Sequence, residues 1–248
     1  FIKKKLEDSN YINILNSNLN IKIVQNTEKI NFDKNFVLVG LNLAYIGYVE
    51  SKKIWINKNF IHWPDGVFCK RIDKNLKKIP GRNILKDLVI PENISQVNVI
   101  GDLSENGRKY LISKFKNKKI INTIMPYKSA EDLFKYVPLI SKNEICILTL
   151  PTPKQEIVAN YIANQHENYK LICIGGGLSM LSGDEKPVPR ILERMHAGTL
   201  VRMKDASRFK KLLFSIASYF GNITASRWLK YGRDDVIAKF TNFFAIFQ

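Results

Sequence analysis

From about residue 36 onward, short apolar runs alternate with longer amphipathic stretches. The apolar runs predict strands near "FVLVG", "NFIHW", "QVNVIG", "KIINTI", "ICILTL" and "KLICIGG". The amphipathic stretches predict helices over 104–116 ("SENGRKYLISKFK"), 130–142 ("AEDLFKYVPLISK") and 154–166 ("KQEIVANYIANQH"). This alternation favours an α/β fold, with a mainly parallel, Rossmann-like sheet flanked by helices.

Three of the predicted strands end in turns that are rich in Gly or Pro. These turns read "WPDG" after residue 62, "PTPKQE" after residue 150 and "GGGLS" after residue 174. Ligands of parallel α/β sheets bind beyond the carboxyl ends of the strands. We therefore expect the functional residues in these three turns.

The pattern changes after Pro189, and we divide the chain there into an α/β domain (1–190) and a C-terminal appendage (191–248). The stretch "RFKKLLFSIASYF" has apolar residues at helical spacing and lysines elsewhere on the helix, which predicts a basic amphipathic helix. Two interpretations stay open. The apolar face packs on the domain, or it lies on an anionic membrane surface.

The formal net charge is +17, but most of it comes from lysines in a chain that is also rich in Asn and Ile. The arginines are more informative, because six of the nine lie between residues 190 and 233. Such a stretch favours binding of phosphate, on a nucleotide, a nucleic acid or a membrane.

Several classes of protein are disfavoured. No apolar run approaches the ~20 residues of a membrane-spanning helix, so we expect a soluble fold. Cys69, Cys146 and Cys173 form no C-x-x-C pair, which argues against disulfides and zinc. The three histidines form no H-x-x-x-H pair, and no G-x-S-x-G or P-loop string occurs. We therefore expect no metal and no cofactor.

Each remaining motif also has a purely structural interpretation. Pro64, Asp65 and Gly66 match an ordinary turn, although a carboxylate at a strand end is also suited to catalysis. Thr152 and Gln155 match a helix capping box, with Pro153 at the first helical position. The three glycines 175–177 lack the G-x-G-x-x-G spacing of a dinucleotide site.

Taken in order, these motifs resemble the WecG/TagA/CpsF family of bacterial glycosyltransferases, also called glycosyltransferase family 26. The strings that carry the resemblance cover roughly residues 36–211. They are "FIHWPDGV", "KKIPGRNIL", "NVIGDLSENGRKYLISKF", "LTLPTPKQE" and "CIGGGLSMLSGDEKPVPR".

The resemblance implies an inverting, metal-independent transfer of an N-acetylmannosamine-type sugar from a UDP donor to a polyprenyl-diphosphate-linked or other glycan acceptor, in cell-surface polysaccharide synthesis. It implies Asp65 as the general base. It also implies a location in the bacterial cytoplasm, with peripheral contact to the inner face of the cytoplasmic membrane. Whether the chain forms a homo-oligomer is left open.

The resemblance further implies a set of substrate-binding residues. On the α/β domain these are Asn42, Lys78, Gly81, Asn83, Lys154, Gln155, Gly175, Gly176, Gly177 and Ser179. On the appendage they are Arg202, Arg208 and Lys211, which would approach the donor diphosphate.

The chain departs from the family pattern at Gly40, Lys78, Asn83, Ser179 and Pro187. The departures keep a second hypothesis open, in which the chain is a non-catalytic relative that binds a nucleotide sugar within a polysaccharide assembly complex.

A third hypothesis, nucleic-acid binding, is motivated by the pI of 9.7. No helix-turn-helix string or RNA-binding aromatic signature supports it, so we expect no nucleic-acid partner.

Overall fold

The computed structural model describes residues 2–4, 12–16, 19–42, 45, 49, 58–65 and 76–185. Within this part of the chain, nine strands form one sheet. Their bounds are β1 Ile2–Lys4, β2 Ile12–Asn16, β3 Leu19–Ile23, β4 Phe36–Gly40, β5 Phe60–Trp63, β6 Gln96–Ile100, β7 Lys119–Thr123, β8 Glu144–Leu148 and β9 Lys170–Cys173.

The spatial order of the strands is β1-β2-β3-β5-β4-β9-β8-β6-β7. All pairs from β3 to β7 in this order are parallel, so seven neighbouring strands run the same way. Strands β1 and β2 extend the β3 edge by antiparallel pairing. The predicted α/β fold with a mainly parallel sheet is therefore confirmed.

The described helices cover both faces of the sheet. They are α1 Gly81–Asp87, α2 Glu105–Lys114, α3 Lys154–Gln165 and α4 Gly177–Leu181, together with 3-10 helices at Thr27–Lys29 and Glu131–Tyr136. In β4, Val37 and Val39 pack in the same apolar core as α3, whereas Phe36 and Leu38 pack in the core formed with α1 and α2. Because both faces are covered, central strands such as β4 and β8 carry a continuous apolar run rather than an alternating pattern.

The six predicted strands are all present, but two helix predictions need correction. The helix predicted over 130–142 is only the 3-10 helix Glu131–Tyr136. Pro138 disfavours a helical residue before it, and Val137 is extended, with ψ 126°.

The predicted capping box is also wrong. Helix α3 begins at Lys154 with Pro153 as its N-cap, and no side chain caps it. Strands β1 to β3, α1 and α4 were not predicted. The two short helices begin at glycines, which carry little helical signal.

Candidate functional site

The topology brings the predicted motifs to four neighbouring strands. The order β5-β4-β9-β8 places side by side the strands that precede Asp65, Asn42, Gly175 and Gln155. Because these strands are parallel, their carboxyl ends lie on one edge of the sheet. The three turns predicted to hold the functional residues therefore lie at one edge of the sheet, whereas their role in function stays a prediction.

Asp65 is half-buried just beyond β5 and is in contact with Asn42. The Asn42 Nδ2 atom lies 3.4 Å from Asp65 Oδ2 and 3.3 Å from the Gly40 carbonyl oxygen. The Asn42 Oδ1 atom accepts a hydrogen bond of 3.1 Å from the backbone N–H of Tyr45, which is helical. One side chain therefore ties the helical backbone at Tyr45 to the carboxylate.

Gly40 leaves the space in which the Asp65 side chain lies. A Cβ atom on residue 40 would be 3.0 Å from the Cβ and Oδ2 atoms of Asp65, and 3.0 Å from Cζ2 of Trp63. Contacts this short force the neighbours to move. The glycine that departs from the family pattern is therefore matched to the observed position of the carboxylate.

A buried pair of side chains lies beneath this part of the site. The Tyr45 hydroxyl is 3.1 Å from His62 Nε2, and His62 Nδ1 is 3.2 Å from the Lys22 carbonyl oxygen. A carbonyl only accepts, so we assign the proton to Nδ1, and Nε2 then accepts from the tyrosine hydroxyl.

Burial dominates the titration of both groups. It lowers the pKa of His62 to about 4, against the opposing hydrogen bond to the Lys22 carbonyl. It also raises the pKa of Tyr45, with smaller contributions from the charges of Glu156 and Cys173. Both side chains are therefore neutral near pH 7 and support the site without carrying charge.

The segment before α1 lies beside the end of β5. The Ile79 N–H donates to the Pro64 carbonyl oxygen at 2.8 Å. Lys78 and Asn83 line a polar cleft of about 160 Å³ between this segment and residues 25–27. Gly81 does not line this cleft but packs against the ends of β5 and β9, where an added Cβ would be 3.6 Å from Trp63 Cζ2 and 3.5 Å from the Ile174 carbonyl oxygen.

Gln155 is only 4% exposed, and its amide bonds within the protein. The Nε2 atom donates to Thr152 Oγ1 at 3.2 Å and to Glu156 Oε1 at 2.9 Å. The Oε1 atom accepts from the Gly175 N–H at 2.9 Å. Because the Glu156 carboxylate accepts from Nε2, it determines which end of the amide faces Gly175.

Gly175 adopts a φ of 52°, in the left-handed region that favours glycine. The N–H of Gly175 bonds to Gln155, and that of Gly177 bonds to the Ile174 carbonyl oxygen at 3.0 Å. A Cβ on Gly177 would be 3.2 Å from the Arg82 nitrogen, so the glycine allows α4 to pack closely on α1. Ser179 follows in α4 and accepts from the Glu185 N–H through its carbonyl oxygen.

Lys154 begins α3 and lies away from Asp65, toward the connection after β7. Its ammonium donates to the Lys128 carbonyl oxygen and lies 5.1 Å from the centre of the Tyr127 ring. Its predicted role in substrate binding stays a prediction, as do those of the other residues above.

Arg202, Arg208, Lys211, Pro187 and the whole appendage 191–248 lie outside the described residues. In the part of the chain that is described, no three His, Cys, Asp or Glu side chains are grouped to hold a metal ion. No described helix has the length and apolar content to cross a membrane. Metal independence and the appendage's membrane contact remain predictions.

Sequence reasoning missed the supporting residues Tyr45, His62 and Glu156. Glu156 stands next to Gln155 in "PKQE" and His62 stands three residues before Asp65. The closeness of Glu156 and His62 in sequence to predicted site residues could have pointed to them. Only the burial and contact distances show that they hold site residues in place.

The family of the chain follows from a comparison with known proteins and protein families. No curated protein matches the sequence significantly. The model of the "Glycosyl transferase WecG/TagA/CpsF family" matches residues 81–233, which is more than half of the chain. The matched region begins after Asp65 and Asn42 and includes Gln155, the glycine turn and the appendage arginines 202 and 208.

The family implies a glycosyltransferase of cell-surface polysaccharide synthesis, with a nucleotide-sugar donor and a glycan acceptor. The chain belongs to the WecG/TagA/CpsF family of glycosyltransferases.

Proposed function

We propose that this glycosyltransferase transfers a sugar of the N-acetylmannosamine type from a UDP donor to a polyprenyl-diphosphate-linked acceptor, with inversion and without a metal ion. The reaction takes place at the inner face of the bacterial cytoplasmic membrane. The observation that carries the proposal is the half-buried Asp65 carboxylate at the carboxyl edge, held by Asn42 and accommodated by Gly40.

The proposed chemistry is a single displacement. Asp65 takes the proton of the acceptor hydroxyl while that oxygen attacks the anomeric carbon of the donor sugar. The bond from the anomeric carbon to the UDP oxygen breaks, and its electron pair leaves with the diphosphate. One positioned carboxylate is sufficient, because inversion needs no covalent intermediate.

The leaving diphosphate needs positive charge and N–H donors. We assign these roles to Arg202, Arg208 and Lys211 of the appendage and to the glycine turn. Within that turn, the N–H groups of Gly175 and Gly177 already donate to Gln155 and to the Ile174 carbonyl oxygen. We therefore assign the phosphate contact to the N–H of Gly176. Arginine suits this role because its planar fork binds two phosphate oxygens at once.

The test is a screen of UDP-sugars with a polyprenyl-diphosphate-linked acceptor, in which UDP release is measured with and without EDTA. We expect release that requires the acceptor and persists in EDTA, and a product whose anomeric configuration, read by NMR, is inverted. Retention of configuration or abolition by EDTA would contradict the proposed mechanism. UDP binding without transfer to any acceptor would instead support the non-catalytic hypothesis.

A further inference from the structure

The connection between β7 and β8 exposes an unusual number of large apolar side chains. Among the described residues, six large hydrophobic side chains are exposed, and four of them fall between residues 124 and 139. Ile124 is 77% exposed and Tyr127 is 92% exposed. Both follow directly after β7, the outermost strand on this side of the sheet. Largely exposed apolar side chains that follow one another within a short connection indicate a contact surface.

Lysines surround the tyrosines of this connection. The Lys154 ammonium lies 5.1 Å from the Tyr127 ring centre, and those of Lys128 and Lys135 lie 5.7 and 5.5 Å from the Tyr136 ring centre. The Lys128 ammonium also donates to the Tyr136 hydroxyl at 3.4 Å, and its carbonyl accepts from Lys154. These contacts join five residues, and the exposed Ile124 lies three positions before Tyr127 in the same connection. The six residues together are called here the Tyr–Lys surface: Ile124, Tyr127, Lys128, Lys135, Tyr136 and Lys154.

We infer that the Tyr–Lys surface binds an anionic lipid bilayer, with Ile124 and Tyr127 inserted at the head-group level and the lysine ammonium groups on lipid phosphates. Tyrosine and lysine are the side chains that favour this interface, because each has an apolar body and a polar end. An exposed aliphatic side chain beside them gains free energy when it leaves water for the acyl chains.

Charge distinguishes a bilayer from other occupants of this surface. The exposed acids of the connection are Glu131 and Asp132, and Asp132 already accepts from Ser129 Oγ at 2.8 Å. A second copy of this chain carries a net charge of +17, and the appendage is rich in arginine, so both are repelled by the lysines. Anionic lipid has the opposite sign and attracts the whole molecule as well as the surface.

The Tyr–Lys surface lies at the same edge of the sheet as the candidate site. Strands β5 and β7 are five positions apart in the sheet, which corresponds to roughly 24 Å. Bilayer contact here would hold the carboxyl edge, and Asp65 with it, close to the membrane. This consequence rests on the proposed function, whereas bilayer binding itself does not depend on it.

The experiment measures binding of the full chain to vesicles containing phosphatidylglycerol and to vesicles of phosphatidylcholine alone. We expect binding to the anionic vesicles that weakens with salt. The Ile124→Ser/Tyr127→Ser double variant should bind at least roughly tenfold more weakly. Lys128→Gln and Lys135→Gln should each weaken binding roughly fivefold.

Matched controls come from the other described exposed residues. Val89→Ser and Ile112→Ser remove apolar side chains that are 73% and 51% exposed elsewhere, and Lys109→Gln removes an exposed lysine of α2. Vesicle binding by these controls should equal that of the wild type. All variants change exposed side chains, and circular dichroism checks that they are folded.

Three outcomes would overturn the inference. One is equal binding by the surface variants and the wild type, and another is equal binding to neutral and anionic vesicles. The third is a surface variant that loses only self-association in sedimentation, which would assign the surface to a second copy. None of these measurements uses a sugar donor, so failure here is separate from failure of the proposed transfer reaction.

Discussion

The ends of β4 and β5 differ from the ends of β8 and β9 in how their polar side chains are held. After β5, the Asp65 carboxylate is half-buried and its contact with Asn42 is long, at 3.4 Å. After β8, the Gln155 amide is 4% exposed and makes three hydrogen bonds of 2.9 to 3.2 Å within the protein. The resemblance to the family predicts a role in the substrate site for both residues, but their surroundings suit different tasks.

One end of the edge is therefore suited to chemistry and the other to support. A general base must reach the acceptor hydroxyl, which a half-buried carboxylate at an edge can do. A buried amide whose two N–H groups are both used stabilises the turn that it bonds, in this case the left-handed Gly175. We therefore expect substitutions at the two ends to change different measured quantities.

The largest expected effect is that of Asp65→Asn on turnover. The amide cannot accept the acceptor proton, so kcat should fall by ~10²–10⁴-fold while the binding of UDP and the free energy of unfolding stay close to wild type. Steady-state kinetics, UDP titration and urea denaturation measure the three quantities. Asp102→Asn, an exposed carboxylate after β6 on the same edge, is the matched control and should keep full activity. A wild-type rate for Asp65→Asn would remove the base assignment.

The next effect concerns the buried His62 of β5, which is paired with Tyr45. Its pKa of about 4 in the folded protein lies below the ordinary histidine pKa of 6.5, so between these pH values the unfolded chain binds the extra proton. Stability should therefore be fully present above about pH 6.5 and fall as the pH is lowered toward 4, by up to about 3 kcal/mol from this group. Urea denaturation across this pH window should show a shallower slope for His62→Gln than for the wild type. An unchanged slope would contradict the assignment.

Gly40→Thr should lower activity more than it lowers stability. The added Cβ would meet Asp65 and Trp63 at 3.0 Å, so the carboxylate should move. A displacement of about 1 Å in a reacting group costs about 10²-fold in rate. Gly183→Thr is the control for the glycine change, because no atom lies within 4 Å of its added Cβ; its φ of 82° would strain the backbone but leave Asp65 in place. Full activity in Gly40→Thr would show that Asp65 does not depend on this space.

The smallest expected effect is that of Gln155→Ala on stability, at the end of β8. Gln155→Ala removes hydrogen bonds to Gly175, Thr152 and Glu156, and should lower the free energy of unfolding by about 2 kcal/mol. Urea denaturation of Gln155→Ala and of the wild type under the same conditions measures this loss. If Gln155→Ala instead left stability unchanged and raised only the KM for the sugar donor, Gln155 would contact substrate directly, and the comparison of the two ends would fail.

Much of the fold could be predicted because the alternation of apolar runs and amphipathic stretches is a local signal. All six predicted strands were found, since "FVLVG" or "ICILTL" can be buried only in a sheet covered on both faces. The helix predicted over 130–142 failed because its apolar spacing continued past Pro138, where the backbone cannot remain helical. The apolar periodicity alone therefore does not predict where a helix ends.

The candidate site, like the fold, could be predicted only in part. The turns that contain Asp65, Gln155 and Gly175 could be identified because Pro, Gly and polar residues follow apolar runs. The contact between Gly40 and Asp65 could not, because it joins the ends of two neighbouring strands that are distant in sequence. The burial of Glu156 beneath the glycine turn likewise follows from how α3 packs on the sheet.

The α/β class, the six strands β4 to β9 and the order of the motifs follow from the sequence alone, because each depends on the apolar pattern of a few consecutive residues. Only the tertiary structure decided that β5, β4, β9 and β8 are neighbours, that Gly40 makes room for Asp65, and that Gln155 is enclosed while Tyr127 is exposed. The physical reason is that burial and contact are properties of residues far apart in the chain. They exist only once the sheet has brought those residues together.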